Sequence, residues 1–163
     1  MRARFNIAQI EPGKIEDATR LFKETVAPAI SSAPGNHGLV VAIDDTNNMA
    51  IAIALWESDS DMEAFPGPIS ANPSLAAGIL NAPEREFYDV SITDRLESVG
   101  VATRVRINRR KIQAGKLDEA IRLFNDSIIP TVKGRKGNLG SFLLTTLLQA
   151  SSSQWRSGHQ TAK

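Results

Sequence analysis

The sequence predicts an α+β protein built from two β-α-β-β-α-β units, the second of which is incomplete. Two observations predict this class. Short runs of alternating apolar residues are interleaved with longer runs at helical spacing, so strands and helices are mixed along the chain. The 163-residue chain also matches itself at an offset of 102, where residues 13–30 and 115–132 are identical at seven of eighteen positions and conservatively exchanged at seven more. The chain therefore contains a duplication.

The first half of the first unit predicts a strand followed by a helix. The run ARFNIAQI (3–10) is rich enough in apolar residues to be a strand, and Gly13 ends it before the helix. Pro28, repeated as Pro130, predicts a bend or an early end of that helix in both copies. The segment PGNHG (34–38) predicts the helix stop and a turn. Helical spacing predicts which apolar residues face a core: Ile15, Ala18, Phe22, Val26 and Ala29.

A hairpin, a short helix and a fourth strand complete the first unit. Two apolar runs, 39–43 and 49–56, flank the turn signal DDTNN and predict a β-hairpin. Ser58, with Asp61 three residues later, resembles a capping box that starts a short helix. An Ala/Pro/Gly-rich stretch then leads to REFYDVSI (85–92), the fourth predicted strand. This order of elements is the ferredoxin-like plan.

The second unit follows the same order as far as it goes. Its first strand is predicted in VATRVRINRRKI (101–112), where Arg106 and Asn108 repeat Arg4 and Asn6. The closing segment, ASSSQWRSGHQTAK, shares with AIALWESDSDMEAF a tryptophan followed two residues later by serine. We therefore expect the first repeat to occupy residues 1–97 and the second 98–163, with the second lacking its last helix and strand.

Two explanations for the polar closing segment stay open. One is gradual decay of a copy that no longer needs its core. The other is a frameshift, because most serine codons, read one base earlier, become codons for isoleucine, valine, leucine or phenylalanine. His159, beyond this break, is a poor candidate for any function.

Composition and charge exclude several classes of function. The chain has no cysteine, which excludes disulfides, thiolate zinc sites and cysteine nucleophiles, and it has no H-E-x-x-H or G-x-S-x-G motif. Its net charge of +1 gives no field that would attract nucleic acid, and the basic cluster at residues 104–111 lacks interleaved aromatic residues. The longest charge-free run, 64–83, contains four prolines, which argues against a membrane span. The start lacks a signal-peptide core, so we expect a cytoplasmic protein.

Several motifs together resemble the antibiotic biosynthesis monooxygenase domains. They are a short strand with an Asn, a helix led by Gly-Lys, a Gly-rich turn, a hairpin ending in W-x-S, and an acidic helix ending in Ala-Phe. The resemblance covers residues 1 to about 95 directly and about 100–146 through the repeat. It implies a dimeric α/β barrel, in which two ferredoxin-like units press their sheets together. A tandem copy suggests that one chain supplies both halves; alternatively, chains associate through the first copy.

The resemblance implies two possible chemistries, and this sequence favours one of them. Some members of the family oxidise polycyclic phenols with O₂ and no cofactor, and others degrade haem. The haem-degrading members use a histidine and a tryptophan after the second helix, whereas residues 66–83 of this chain contain neither. We therefore predict a monooxygenase-like protein without metal, flavin or other cofactor, acting on an aromatic or quinol-type small molecule. The alternative is a non-catalytic module of the same fold that binds a small apolar ligand or associates through its sheet.

Four residues are candidates for catalysis. The haem-degrading members carry an Asn at the place of Asn6, whose amide could hold an oxygen or an oxyanion, or else bond neighbouring backbone. Trp56 either walls a pocket or staples strand to helix in the core. Tyr88 offers the chain's only phenol, as an acid or as a strand residue with its hydroxyl at the rim. His37 could act as a base, although the second copy has Leu139 in its place.

Overall fold

The computed structural model describes residues 1–95 and 105–146, which form one five-stranded antiparallel sheet and several short helices. The first copy comprises β1 (Arg2–Gln9), α1 (Ile15–Leu21), a π-helical turn (Phe22–Val26), α2 (Ala27–Ser31), β2 (Asn36–Asp44), β3 (Met49–Trp56), α3 (Asp59–Ala64), α4 (Pro68–Ala71), a 3₁₀ turn (Pro73–Ala76) and β4 (Glu84–Arg95). The second copy contributes α5 (Leu117–Leu123), a second π-helical turn (Phe124–Ile128), α6 (Ile129–Lys133) and β5 (Gly140–Thr145). The predicted α+β class is confirmed.

The order of strands in the sheet is β2-β3-β1-β4-β5. Its first four strands have the ferredoxin-like arrangement that the sequence predicts, with β1 between β3 and β4. The second copy adds β5 to the outer edge of β4, where Leu144 lies opposite Val90. The two copies are thus joined through one continuous sheet.

Each face of the sheet carries its own apolar cluster because side chains alternate along a strand. On one face, Trp56 and the alanines of β3 pack beneath α1 and α2, together with Met62 of α3. On the opposite face, Phe5 and Leu55 pack with Tyr88 and with residues of β5. The two faces therefore provide separate environments.

The first helix continues through Pro28 to Ser31, so it does not stop early. The N–H of Ala27 donates to the carbonyl of Phe22, five residues back, so the helix widens for one turn immediately before the proline. A proline ring collides with the carbonyl four residues earlier in a regular helix, and a wider turn relieves that collision. The extra residue also shifts the buried face, since Ile30 is buried and Ala29 is only partly buried.

The hairpin and the second helix form as predicted. β2 and β3 pair in register from Gly38 opposite Leu55 to Asp44 opposite Met49. The Ser58 hydroxyl accepts a hydrogen bond from the backbone N–H of Asp61 at 3.1 Å, which is the expected cap of α3.

The predicted first strand of the second copy is wrong within the described residues. Residues 105–113 have no regular secondary structure and are exposed. In the first copy β1 receives hydrogen bonds from β3 and β4, whereas the described part of the second copy offers no corresponding pair of neighbours. A lone strand leaves its backbone groups unpaired, so this segment stays irregular.

Side-chain contacts hold the second copy against the first. Arg109 makes two hydrogen bonds to the Glu86 carboxylate, at 2.9 and 2.8 Å, and Lys133 bonds Asp94 at 2.9 Å. Residues 147–163, with Trp155 and His159, lie outside the described residues, so the interpretation of the closing segment stays a prediction. Among the described helices, none has the length and apolar character needed to cross a bilayer.

Candidate functional site

A cavity lies between the helix-covered face of the sheet and the first helix. It opens to solvent, and its interior offers the centres of water-sized molecules about 50 Å³ of space. Its floor comes from β1, β3 and the start of β4, its wall from the first helix, and its rim from residues 66–70 and 80–83. The lining residues are Arg4, Asn6, Ala8, Phe22, Val26, Ile30, Ala50, Ala52, Pro66, Gly67, Pro68, Ile69, Ser70, Leu80, Asn81, Pro83 and Arg85.

The cavity is apolar along its wall and floor because of two sequence patterns. The π-helical turn presents Phe22 and Val26 toward the sheet, with Ile30 one turn later. Beneath them, β3 presents Ala50 and Ala52, whose small side chains leave space that larger residues would fill. The wall and the floor therefore offer contacts to apolar groups.

Arg4 is the most unusual residue of the cavity, because only 5% of its surface is exposed. Its Nη1 donates to the carbonyls of Phe65 at 2.8 Å and Met62 at 3.2 Å. Its guanidinium carbon lies 5.3 Å from the centroid of the Trp56 ring. The Nε atom is buried and has no hydrogen-bond partner within residues 1–95 and 105–146.

A second guanidinium group lies nearby, on β4. Arg85 lines the cavity and donates a hydrogen bond to the Ser70 hydroxyl at its rim. Burial lowers the pKa of Arg4 below its usual value, and the positive charge of Arg85 lowers that pKa further. No aspartate or glutamate is among the lining residues, and no carboxylate of the described chain forms an ion pair with either arginine. The cavity is therefore both apolar and positively charged.

Asn6 lies in this cavity next to the charged groups. It shares a face of β1 with Arg4 and Ala8, and its register partners are Ala52 on β3 and Arg85 on β4. The side chain is half-buried, and its amide makes no hydrogen bond to any described residue. The amide is therefore available to a bound molecule.

Trp56 lies beneath the cavity and does not line it. The residue is completely buried, and its ring packs 5.6 Å from that of Phe65, between centroids. Its indole nitrogen is buried with no partner in the described part of the chain. Trp56 is a core residue whose ring contacts the Arg4 guanidinium from beneath the cavity.

Tyr88 and His37 lie away from the cavity. Tyr88 is on the opposite face of the sheet, where its ring meets Phe5 edge-on at 5.2 Å and its hydroxyl donates to Glu86 at 2.8 Å. His37 is at the start of β2 and bonds the exposed carboxylate of Glu57. Of the four predicted catalytic residues, only Asn6 faces the cavity, so Asn6, Trp56 and Tyr88 do not converge on one site.

The two arginines were missed by the sequence analysis, although a signal for Arg4 existed. In ARFNIAQI, the polar residues Arg4 and Asn6 alternate with apolar ones, so the period of a strand puts both on one face. Their joint recurrence as Arg106 and Asn108 strengthened that signal. Arg85 could not be found in this way, because its position opposite Asn6 depends on strand register. The described residues contain no group of three potential metal ligands from His, Cys, Asp or Glu.

Comparison with known proteins gives remote similarities. No family model matches the chain. An uncharacterised protein of Mycobacterium tuberculosis is 22% identical over 143 residues, which are 87% of this chain and 64% of that protein. The chain thus spans less than two thirds of the length of the relative it matches.

Among solved structures, the similar chains include several described as antibiotic biosynthesis monooxygenases or oxygenases. One, from Nitrosomonas europaea, is 13% identical with a TM-score of 0.47, covering 55% of this chain and 97% of its own. A cofactor-independent oxygenase from Streptomyces nogalater is 21% identical with a TM-score of 0.44, covering 54% of this chain and 90% of its own. A haem-degrading protein from Mycobacterium tuberculosis is 18% identical with a TM-score of 0.43, covering 61% of this chain and all of its own. Antibiotic biosynthesis monooxygenases are thus among the structures this chain is similar to, as its sequence motifs predict.

Proposed function

We propose that the protein is a cofactor-independent, monooxygenase-like enzyme that oxidises a flat aromatic or quinol-type molecule in the cavity beneath the first helix. One observation carries the proposal: the amide of Asn6, which makes no hydrogen bond to any described residue, faces a largely apolar cavity next to two guanidinium groups. The similarity to a cofactor-independent oxygenase adds support at the level of fold. The match covers 64% of the Mycobacterium tuberculosis relative. The proposal therefore concerns the activity of the present chain and not that of the longer protein.

The proposed reaction requires few functional groups from the protein. A deprotonated phenol or anthrone gives its electrons directly to O₂; when a CH₂ group becomes a carbonyl, one oxygen atom enters the product and the other leaves as water. The protein must hold the ring and stabilise the anion while it reacts. The Asn6 amide can donate to that oxygen, and Phe22 and Val26 can cover the ring.

No histidine, aspartate or glutamate is among the described residues that line the cavity, so these residues would stabilise an anion without supplying a base. The proton leaves to water or is lost before binding. In this proposal Trp56 acts as a positioning residue by supporting Arg4 from the core. Tyr88 and His37, which lie outside the cavity, take no part.

The test is O₂ consumption with a panel of hydroquinones and anthrones, comparing Asn6→Ala with Asn108→Ala. The second variant is a matched control, because Asn108 repeats Asn6 but is exposed in an irregular segment. We expect Asn6→Ala to lower kcat by about 100-fold, the usual cost of removing one oxyanion donor, and Asn108→Ala to leave it unchanged. Absence of turnover by the parent protein, or equal rates for the two variants, would overturn the proposal.

A second candidate function is binding without catalysis, which the absence of an acid or base among the lining residues favours. The same cavity would then hold a small apolar ligand. A parent protein that binds an anthrone in a calorimeter but consumes no O₂ with it would establish this alternative.

We also propose that chains associate through the sheet face opposite the cavity. Ile51, Tyr88 and Val90 are only partly buried there, around a core of Phe5 and Leu55. An apolar sheet face of this kind gains free energy when a second sheet covers it. Sedimentation equilibrium of the parent and of Val90→Lys tests this proposal; a monomeric parent would contradict it.

A further inference from the structure

We propose that the molecule bound in this cavity is an anion, and that Arg4 and Arg85 form a site for an oxyanion carried on a flat aromatic body. The inference rests on the proposed function for the location of the site and adds the chemical class of its ligand. Both a carboxylate and an ionised phenol have the required chemistry. Nothing in the sequence analysis predicts the site.

The burial of Arg4 requires an explanation. A guanidinium group that is 95% removed from water loses most of its hydration, a cost that proteins ordinarily offset with a carboxylate. Within the described residues Arg4 has only the carbonyls of Met62 and Phe65 and the face of Trp56. These groups are dipoles and a quadrupole, so the net charge of Arg4 remains.

Packing alone does not account for an arginine at this position. A methionine or leucine would fill the space above Trp56 without a buried charge, and replacing unpaired buried charges by apolar residues is usually stabilising. The Nε atom also remains without a hydrogen bond in the described chain, although five donors give the guanidinium ample choice. Arg4 therefore has hydrogen-bonding capacity and charge that the described fold does not use.

The second arginine increases the positive charge instead of offsetting it. Arg85 lies opposite Asn6 on the neighbouring strand, two residues from Arg4 along β1, and both arginines line the cavity. Two like charges at one cavity repel each other, and an anion between them converts the repulsion into attraction. Guanidinium groups are suited to this task because their planar N–H groups match a carboxylate or phenolate oxygen.

The positions of the groups define the shape of the ligand. The buried guanidinium of Arg4 approaches the rim at Gly67, where a Cβ placed on that glycine would lie 3.9 Å from Nη2 of Arg4. Arg85 is exposed and hydrogen-bonded to Ser70 at the rim. The apolar wall of Phe22 runs alongside. A ligand with its oxyanion toward the arginines and its rings against this wall satisfies all three.

The test measures binding of 2-naphthoate and of 2-naphthamide by isothermal titration calorimetry. The two molecules have the same shape and differ in charge. We expect the parent protein to bind the carboxylate about tenfold more tightly than the amide, from one charge-assisted hydrogen bond. Arg85→Gln should remove most of that preference.

Matched variants separate the site from general effects. Arg20→Gln removes the same charge from the outer side of the first helix, where Arg20 pairs with Asp17, and should preserve the preference. Arg4→Lys keeps the charge but not the planar donors, and should reduce the preference without unfolding the protein, as circular dichroism would verify. If Arg4→Lys fails to fold, Arg85→Gln still decides the question.

A second arm distinguishes the two sources of the oxyanion. Binding of 2-naphthol is measured at a pH where it is neutral and at one where it is ionised. Tighter binding of 2-naphthoate than of its amide supports a carboxylate site, and tighter binding of ionised than of neutral 2-naphthol supports a phenolate site. Equal affinities for the charged and neutral forms in both pairs, or a preference that survives Arg85→Gln, would overturn the inference.

The outcome is independent of catalysis. A parent protein that prefers anions but consumes no O₂ with any substrate retains the anion site and loses the oxygenase proposal. A parent protein that oxidises anthrones but binds charged and neutral ligands equally retains the oxygenase proposal and loses the anion site.

Discussion

The helices of the two copies have closely similar sequences and the same backbone but different surroundings. Residues 15–31 form α1, a π-helical turn and α2, and residues 117–133 form α5, a π-helical turn and α6 at corresponding positions. The first helix buries Ala18, Leu21, Phe22, Val26 and Ile30. The second buries no residue, and Leu123 in it is 59% exposed.

This difference separates what is encoded locally from what requires a partner. The helical spacing, the glycine before the helix and the proline within it act over a few residues, and they produce the same backbone twice. Burial depends on a sheet below the helix, and within the described residues only the first copy has one made of its own strands. Local sequence therefore sets the shape of each helix, while tertiary context sets its contribution to stability.

The Arg-x-Asn pair shows the same contrast. Arg4 and Asn6 lie on a central strand and line the cavity, whereas Arg106 and Asn108 are exposed in an irregular segment. The same side chains thus form a candidate site in one copy and none in the described part of the other.

The largest expected effect on stability comes from truncating the phenylalanine at the corresponding position of one helix or the other. Phe22→Ala removes a buried ring and should lower the free energy of unfolding by about 3–5 kcal/mol. Phe124→Ala, at the corresponding but partly exposed position, should cost less than about 1 kcal/mol. Urea denaturation followed by circular dichroism measures both, and equal losses would show that the second helix packs as the first does.

A smaller effect should distinguish β5 from the helix of the second copy. Leu144 is partly buried against the apolar cluster around Phe5 and Leu55, so Leu144→Ala should destabilise the protein by about 1–2 kcal/mol. The control is Leu123→Ala on the exposed face of α5, where we expect a change within about 0.5 kcal/mol. If the control proved the more damaging variant, the helix and not β5 would anchor the second copy.

The ion pair between the two copies should contribute less to stability than Leu144 does. Arg109 and Glu86 make a bidentate pair whose side chains are 49% and 26% exposed, so solvent screens much of their attraction. A double-mutant cycle with Arg109→Gln and Glu86→Gln should give a coupling of about 0.5–1 kcal/mol that falls as salt is added. A coupling that is insensitive to salt would mean that the pair is shielded from solvent.

The smallest expected effect is a shift in the titration of Tyr88. Burial raises the pKa of this phenol above its ordinary value near 10, and the hydrogen bond to Glu86 raises it further. Because the folded protein holds the proton more tightly than the unfolded chain, stability from this group is full below pH 10 and declines as the pH rises through the folded pKa. Absorbance at the phenolate band follows the chain's single tyrosine directly.

Glu86→Gln provides the control for that titration. The Tyr88 pKa should fall in this variant but stay above its ordinary value, since burial is the larger cause. If Tyr88 of the parent protein titrated at its ordinary value, the apolar cluster around Phe5 and Leu55 would be open to water.

The sequence was sufficient for the elements of the first copy because their signals are local. The capping box at Ser58, the hairpin signal over 39–56 and the helical pattern over 15–29 are each contained in one short segment, and all three form. The strand predicted at 101–112 was wrong within its described part, because a strand also needs neighbours that the local pattern cannot supply.

The candidate site was less predictable than the fold. Asn6 was singled out because the haem-degrading members carry an Asn at the corresponding place, and in the structure it lines the cavity from β1. Tyr88 and Trp56 could not be assigned to a face, since that depends on which residue of each strand meets the helices. Arg4 was overlooked because a charged residue in a short strand is ordinarily solvated.

The π-helical turn has a further consequence for how the cavity could change. Because the same wide turn forms in the buried helix and in the exposed one, it is a property of the proline-containing segment and owes nothing to what lies beneath it. The positions of Phe22 and Val26, at the two ends of that turn, are therefore set by the helix itself. Variation in ligand size would then come from the alanines of β3, whose replacement resizes the floor while the wall keeps its form.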